Sequence, residues 1–107
     1  MLRRIVIHAE YQSFLKATRS FRLPHFFVPV LAEEADVFAY GITTVKKIGN
    51  AVVRNRMKRR IKAWFYQNSD SLPTGLKVNL IARAGATELN WQDLCRELSQ
   101  LPIKLKP

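Results

Sequence analysis

"GNAVVRNRMKRRIKAWF", Gly49–Phe65, carries two patterns at once. Stepped at roughly 100° per residue, Val53, Met57, Ile61, Trp64 and Phe65 fall on one side, the apolar stripe of a helix packed on a core. Six of the fourteen residues from Gly49 to Lys62 are Arg or Lys, and none is acidic. Arg54 and Arg60 stand at the two margins of the stripe, and Asn55, Arg56, Lys58, Arg59 and Lys62 fill the rest of the circle. Asn50 is placed to cap the helix, because its short side chain can accept from a free N–H of the first turn. The spacing predicts a helix that starts after Asn50 and reaches Tyr66 or Gln67.

Working outward, Val37–Val45 alternates as a strand, with Phe38, Tyr40, Ile42 and Thr44 on one face and Val37, Ala39, Gly41, Thr43 and Val45 on the other. "KKIGN" is the loop between that strand and the helix. After the helix, "NSDSLPTG" is turn chemistry, and Leu76–Arg83 alternates as a second clear strand. Asn90 caps a last helix with Leu94, Leu98 and Leu101 as its stripe, and Pro102 is expected to end it. Near the start, Tyr11, Phe14, Leu15 and Thr18 at helical spacing predict a short helix over His8–Thr18. Ser20–Leu31 is aromatic and β-branched but interrupted by Pro24 and Pro29, which reads as an edge strand or a bent one. The order α-β-β(-β)-α-β-α predicts an α+β fold, a single-domain α/β sandwich over residues 1–107 with helices covering a small sheet.

Composition narrows the function. No apolar run approaches the roughly 20 residues that span a bilayer, and Ile5-Val6-Ile7 is too short for a signal-peptide core. The expected location is cytoplasmic, with no membrane partner. Cys95 is the single cysteine, so it can form no internal disulfide, and with His8 and His25 it makes no zinc spacing. No carboxylate pair, triad or metal cluster points to catalysis by side chains, so the catalytic and metal sites are both expected to be absent from the protein.

The charge is +10, from 18 basic and 8 acidic side chains, and it is not evenly spread. Between Val37 and Ser69 no residue is acidic, while Lys46, Lys47, Arg54, Arg56, Lys58, Arg59, Arg60 and Lys62 all fall there. Five like-charge pairs sit three or four residues apart along the helix, from Arg54–Lys58 to Arg59–Lys62. At about 0.2–0.5 kcal/mol each, they cost roughly 1–2.5 kcal/mol. A merely solvated face would mix signs. A polyanion removes the repulsion, and counterion release then favours binding. Dense Arg and Lys suit phosphate contact more than base readout, which draws on Asn, Gln and Ser. The segment as a whole therefore points to nucleic acid, with a lean to RNA recognised by its backbone and shape.

At this point the residues resemble a known family. "VKKIGNAVVRNRMKRRIKAWF" is similar to the signature of the bacterial ribonuclease P protein subunit, whose core reads SKK[VI]GNAV-x-RNR-x-KR. Lys46-Lys47, Gly49-Asn50-Ala51-Val52, Arg54-Asn55-Arg56 and Lys58-Arg59 all fit. "AEYQSFL" resembles the family's first helix, "HFFVPVL" its second strand, and "LKVNLIARAGATELNWQDLCREL" its strand, loop and final helix. The resemblance implies a small mixed sheet whose strand–helix–strand crossover around the basic helix is left-handed. It implies a ribonucleoprotein endonuclease that removes the 5′ leader of precursor tRNA, with the catalytic centre and its Mg²⁺ ions in the RNA subunit. The protein itself would carry no cofactor, and its partners would be ribonuclease P RNA and precursor tRNA. By position, Lys46, Lys47, Asn50, Arg54, Asn55, Arg56, Lys58, Arg59, Arg60 and Lys62 become the RNA-binding candidates. Phe14, Leu15, Phe27, Val30 and Tyr40 become candidates for the cleft that receives the leader. Three departures from the pattern stand out: Val45 in place of the usual Ser, Ala39 where an Arg is common, and Pro29 inside a strand.

Composition alone also fits a binding module with no enzymatic context, such as a ribosomal or DNA-binding protein. An anionic membrane surface fits less well, because the apolar stripe of the basic helix is needed for its own core.

Overall fold

The computed structural model describes residues 1–106. Five strands form one sheet: β1 (Leu2–Arg4), β2 (Arg19–Leu23), β3 (Phe26–Ala32), β4 (Phe38–Thr43) and β5 (Leu76–Ala82). The helices are α1 (His8–Ser13), α2 (Ala51–Gln67), α3 (Trp91–Leu98) and α4 (Gln100–Lys104), with single 3-10 turns at Phe14–Lys16, Lys46–Ile48, Ser69–Ser71 and Ala86–Glu88. The strand order is β1-β4-β5-β3-β2. β1, β4 and β5 run parallel, with α2 as the crossover from β4 to β5, while β3 and β2 add antiparallel to the other side. This is the expected α+β sandwich with a mixed sheet.

Side-chain parity sorts the strands into two faces. Phe38, Tyr40 and Ile42 of β4, Val78 and Leu80 of β5, and Phe26, Val28 and Val30 of β3 join one large core with α2, α3 and α4. Met57, Ile61, Trp64 and Phe65 are the buried residues of α2, as its stripe predicts, with Val53 half-buried at its start. The Phe65 ring stacks on Tyr40 at 4.2 Å, and the Trp64 ring meets its edge at 5.3 Å. Burial of each such side chain contributes about 1.5–3 kcal/mol, enough to offset the like-charge repulsion on the opposite arc of the helix.

The other face is thinner. Its buried hydrophobic cluster is Ile5, Phe14 and Ala39, with Tyr11 and Leu31 packed against them. α1 has six residues and buries none of its own. A helix that short does not hold itself together in water, and polar tethers hold it to the sheet. The Tyr11 hydroxyl accepts from the Ile42 N–H at 3.1 Å and donates to the Ile5 carbonyl at 3.1 Å, closing the gap where β1 runs out beside β4. Gly41 makes room for this: a Cβ there would lie 2.6 Å from Tyr11 Cε1. Glu10 is gripped by Arg3 at 2.8 and 2.6 Å and by Lys77 at 3.2 Å, and Arg3 also binds Glu33. The Arg3 guanidinium pulls the Glu10 carboxyl down to about 2 and holds Glu33 below its ordinary range.

Several expectations are corrected. β1 was not anticipated; it is three residues long and has too little alternation to read. Ser20–Leu31 is a hairpin, β2 and β3, turning at Pro24-His25. β3 lies inside the sheet and is not an edge. Its register with β5 is the same on both sides of Pro29, from Phe27↔Ile81 to Val30↔Val78, so the ladder lapses at a residue with no N–H instead of bending. α1 ends at Ser13, and the chain tightens into a 3-10 turn that buries Phe14 but leaves Leu15 88% exposed. Pro102 does not end the last helix. α3 stops at Leu98, and Pro102 lies in the first turn of α4, where a missing N–H costs nothing.

Candidate nucleic-acid interface

The basic surface is built by a clamped loop and a capped helix. Lys46 and Lys47 sit on the 3-10 turn after β4. That turn is fastened by Thr87, whose hydroxyl donates to the Ile48 carbonyl at 2.8 Å. Gly49 follows in a space no side chain fits: a Cβ would come 2.5 Å from Val53 Cγ2 and 3.2 Å from Thr87 Oγ1. The Asn50 side-chain oxygen accepts from the Val53 N–H at 3.1 Å, the predicted N-cap. At the stripe margins, Arg54 donates to the Gly49 carbonyl at 3.1 Å and Arg60 to the Leu89 carbonyl at 3.4 Å.

Between those margins Asn55, Arg56, Arg59 and Lys62 are exposed and Lys58 is half-buried. The ion pairs among the described residues use Arg3, Lys77 and Arg96 as cations, and His25 Nδ1 lies 2.8 Å from Glu97. Among the described residues none of the eight cations from Lys46 to Lys62 is paired with a carboxylate. Their charge is left for solvent and for whatever polyanion arrives.

A cleft of about 320 Å³ opens on the thin face of the sheet, between α1 with its following turn and the strands. Tyr11, Phe14 and Leu15 form one wall, and Phe27, Pro29, Asn79 and Ile81 lie across from them. The Arg22 guanidinium lies 5.9 Å from the centre of the Phe27 ring, and Lys77 Nζ 6.0 Å from that of Phe14, so both aromatics carry a cation at their face. Three of the five cleft candidates, Phe14, Leu15 and Phe27, are brought together here. Val30 and Tyr40 are not. Their parity turns them to the α2 side, where they are 3% and 2% exposed in the main core. The cleft reading of these two is corrected: alternation along β3 and β4 sends Phe27 and Gly41 to one face and Val30 and Tyr40 to the other.

The residue that sequence reasoning passed over is Tyr11. It read as core stripe, yet it lines the cleft and also a second groove, of about 500 Å³, that contains Arg4, His8, Thr43, Thr44 and Lys58. Tyr11 thus stands between the cleft and a groove that reaches Lys58 of α2. The signal for it was Gly41, a small residue in a strand of large ones, marking a close approach. Cys95 is half-buried on α3 against the main core, and burial pushes its thiol up, away from the reactive thiolate. Among the described residues no helix is long and apolar enough to cross a membrane, and no group of three or more His, Cys, Asp or Glu side chains is arranged to hold a metal ion.

Comparison with known proteins returns one family. The family model described as ribonuclease P matches residues 2–106. The ribonuclease P protein component of Syntrophus aciditrophicus is 38% identical over 93 residues, covering 87% of this chain and 77% of the relative. The structure of the Staphylococcus aureus RNase P protein superimposes with a TM-score of 0.82 at 30% identity, covering 92% of this chain and 90% of that one. The RNase P protein of Thermotoga maritima shares the fold at a TM-score of 0.87 and 22% identity, over 97% of this chain and 98% of that one.

Proposed function

The chain belongs to the ribonuclease P protein family, and from that premise we propose that it binds the catalytic RNA through the basic face of α2 and holds the 5′ leader of precursor tRNA in the α1 cleft. The family makes it a subunit of a tRNA-processing ribonucleoprotein. The observation that carries the finer reading is the run of eight cations from Lys46 to Lys62, none of them paired with a carboxylate among the described residues.

In this reading Arg54, Arg56, Lys58, Arg59 and Lys62 each meet phosphate, with Lys46 and Lys47 extending the contact from the loop. Asn50 serves the surface by capping the helix that displays it. RNA binding relieves the repulsion among the like charges and releases the counterions they hold. The leader, a single strand, lies in the cleft with its bases against Phe14 and Phe27 and its backbone near Arg22 and Lys77. Stacking of that kind contributes about 1–3 kcal/mol per base. Tyr11, standing between the cleft and the groove that reaches Lys58, lets one RNA–RNA complex touch both surfaces. The hydrolytic chemistry, with its Mg²⁺ ions, belongs to the RNA in this proposal. The protein's share is to position substrate and to lower the electrostatic cost of bringing two RNAs together.

The test is a leader-cleavage assay with a bacterial ribonuclease P RNA and precursor tRNA at low Mg²⁺, with and without the chain. Stimulation is expected, and its absence even with the cognate RNA overturns the proposal. Arg54→Ala with Arg56→Ala is expected to lower the slope of log K against log salt by about two, one per lost phosphate contact. An unchanged slope removes these two residues from the interface.

A further inference from the structure

On the α2 side of the sheet, away from the cleft, a second groove of about 380 Å³ opens between β1 and the last two turns of α2. Leu2 and Ala63 make an apolar floor, and Arg59, Lys62 and Tyr66 line it from the helix. Two features set it apart from an ordinary surface dimple. Tyr66 is 80% exposed, a large aromatic ring offered to solvent beside two cations. Tyr40 is 2% exposed, packed on Phe65, yet its hydroxyl has no hydrogen-bond partner among the described residues. Among the described residues no fully buried side-chain polar atom lacks a partner, so this hydroxyl keeps some exposure, and Tyr40 is one of the residues that line the groove. Burial raises the phenol's pKa, which keeps it a donor at neutral pH.

The spacing suits a nucleotide. Arg59, Lys62 and Tyr66 follow one another at three and four residues, so they share one face of α2 over about 10 Å. No acidic residue lines the groove. We propose that it binds one unpaired nucleobase of an RNA partner: Tyr66 stacks on the base, the Tyr40 hydroxyl donates to its edge, and Arg59 and Lys62 neutralise the flanking phosphates. The proposal rests on the RNA-binding reading above and extends it to a site with its own chemistry. Because every base has a π-face, stacking tolerates any sequence, while the single hydroxyl supplies a modest preference for bases with an acceptor at the right edge. The groove adds a stacking contact to the phosphate contacts that Arg59 and Lys62 make in the second half of α2.

The test is an amide NMR titration of the whole isotope-labelled chain with the tetraribonucleotide AAAA. Saturable shifts are expected at Ala63, Tyr66 and Gln67, as a set separate from those at Arg54–Arg56 or beside Phe14 and Phe27. Tyr66→Ala, at an exposed position, is expected to weaken the binding reported by the first set about 5- to 150-fold, with Tyr66→Trp restoring it. Tyr40→Phe keeps the ring on Phe65 and is expected to weaken the site about 2- to 10-fold. Shifts at Arg54–Arg56 or in the cleft with none at Ala63–Gln67 overturn the groove and leave the RNA interface standing. Shifts at Ala63 and Gln67 that saturate with unchanged affinity in Tyr66→Ala overturn the groove as well. No shifts anywhere overturn both readings.

Discussion

On the α2 face of the sheet, Met57, Ile61, Trp64 and Phe65 are sealed among strand residues and the leucines of α3 and α4. On the α1 face the buried hydrophobic cluster has three residues, and a tyrosine hydroxyl and a four-residue charge network supply much of the attachment. The basic surface therefore stands on a dry, deep core, while the aromatic cleft stands on polar tethers at the edge of water. Hydrophobic burial is insensitive to pH, whereas each tether depends on a protonation state, a hydrogen bond or a close fit. The surface proposed for the catalytic RNA is the rigid one, and the one proposed for a variable leader is the adjustable one.

Three perturbations separate the two faces. The largest effect is expected for Ile61→Ala, which leaves a cavity at the centre of α2 and costs about 2–5 kcal/mol in urea unfolding, weakening both faces together. A cost confined to the basic surface would break the idea that α2 is the spine of the whole sheet. Gly41→Ala drives a methyl into Tyr11 and is expected to cost about 1–3 kcal/mol. Hydrogen exchange should then show α1 opening while α2 stays protected, and equal loss of protection in both helices would count against independent faces. The smallest effect is expected for Glu10→Gln. The wild-type carboxyl titrates at about 2 against an ordinary 4.5, so its tether is fully present above pH 4.5 and is lost as pH falls toward 2. The glutamine variant should be less stable at pH 6, and the gap should narrow at pH 3. A constant gap across that window would mean that Glu10 acts through packing and not through charge.

The α2 segment was legible almost to the residue because three independent local signals agree there. Asn50 caps, the apolar stripe repeats at helical spacing, and the cations avoid that stripe. The cleft was only half legible. Phe14 and Phe27 were candidates for it and stand in it, but Val30, a candidate by family position, and Tyr40, a candidate as a nearby aromatic, are sent to the other face by their own strand parity. Tyr11 looked like core because its spacing was apolar, and its partners, Gly41 and the Ile42 N–H, lie about thirty residues away. Pro29 was misread because a rule about ladder hydrogen bonds was applied before the partner of each N–H was known. Pro102 was read as a stop when it is a second helix's first turn, a distinction set by how α4 folds back to bury Leu101 and Leu105.

By itself the sequence determined the elements that carry strong periodicity and the sign of the partner's charge, since helix spacing, capping and like-charge repulsion act between residues within a few positions of one another. It also carried the family, through the motif from Lys46 to Arg59. Only the tertiary structure decided which aromatics share a surface, that Tyr11 stands between the cleft and a groove reaching Lys58, and that Tyr40 lines a groove beside Tyr66. Those depend on sheet order and register, and on a handful of close approaches between residues far apart in the chain, whose energies arise only when the strands are laid side by side.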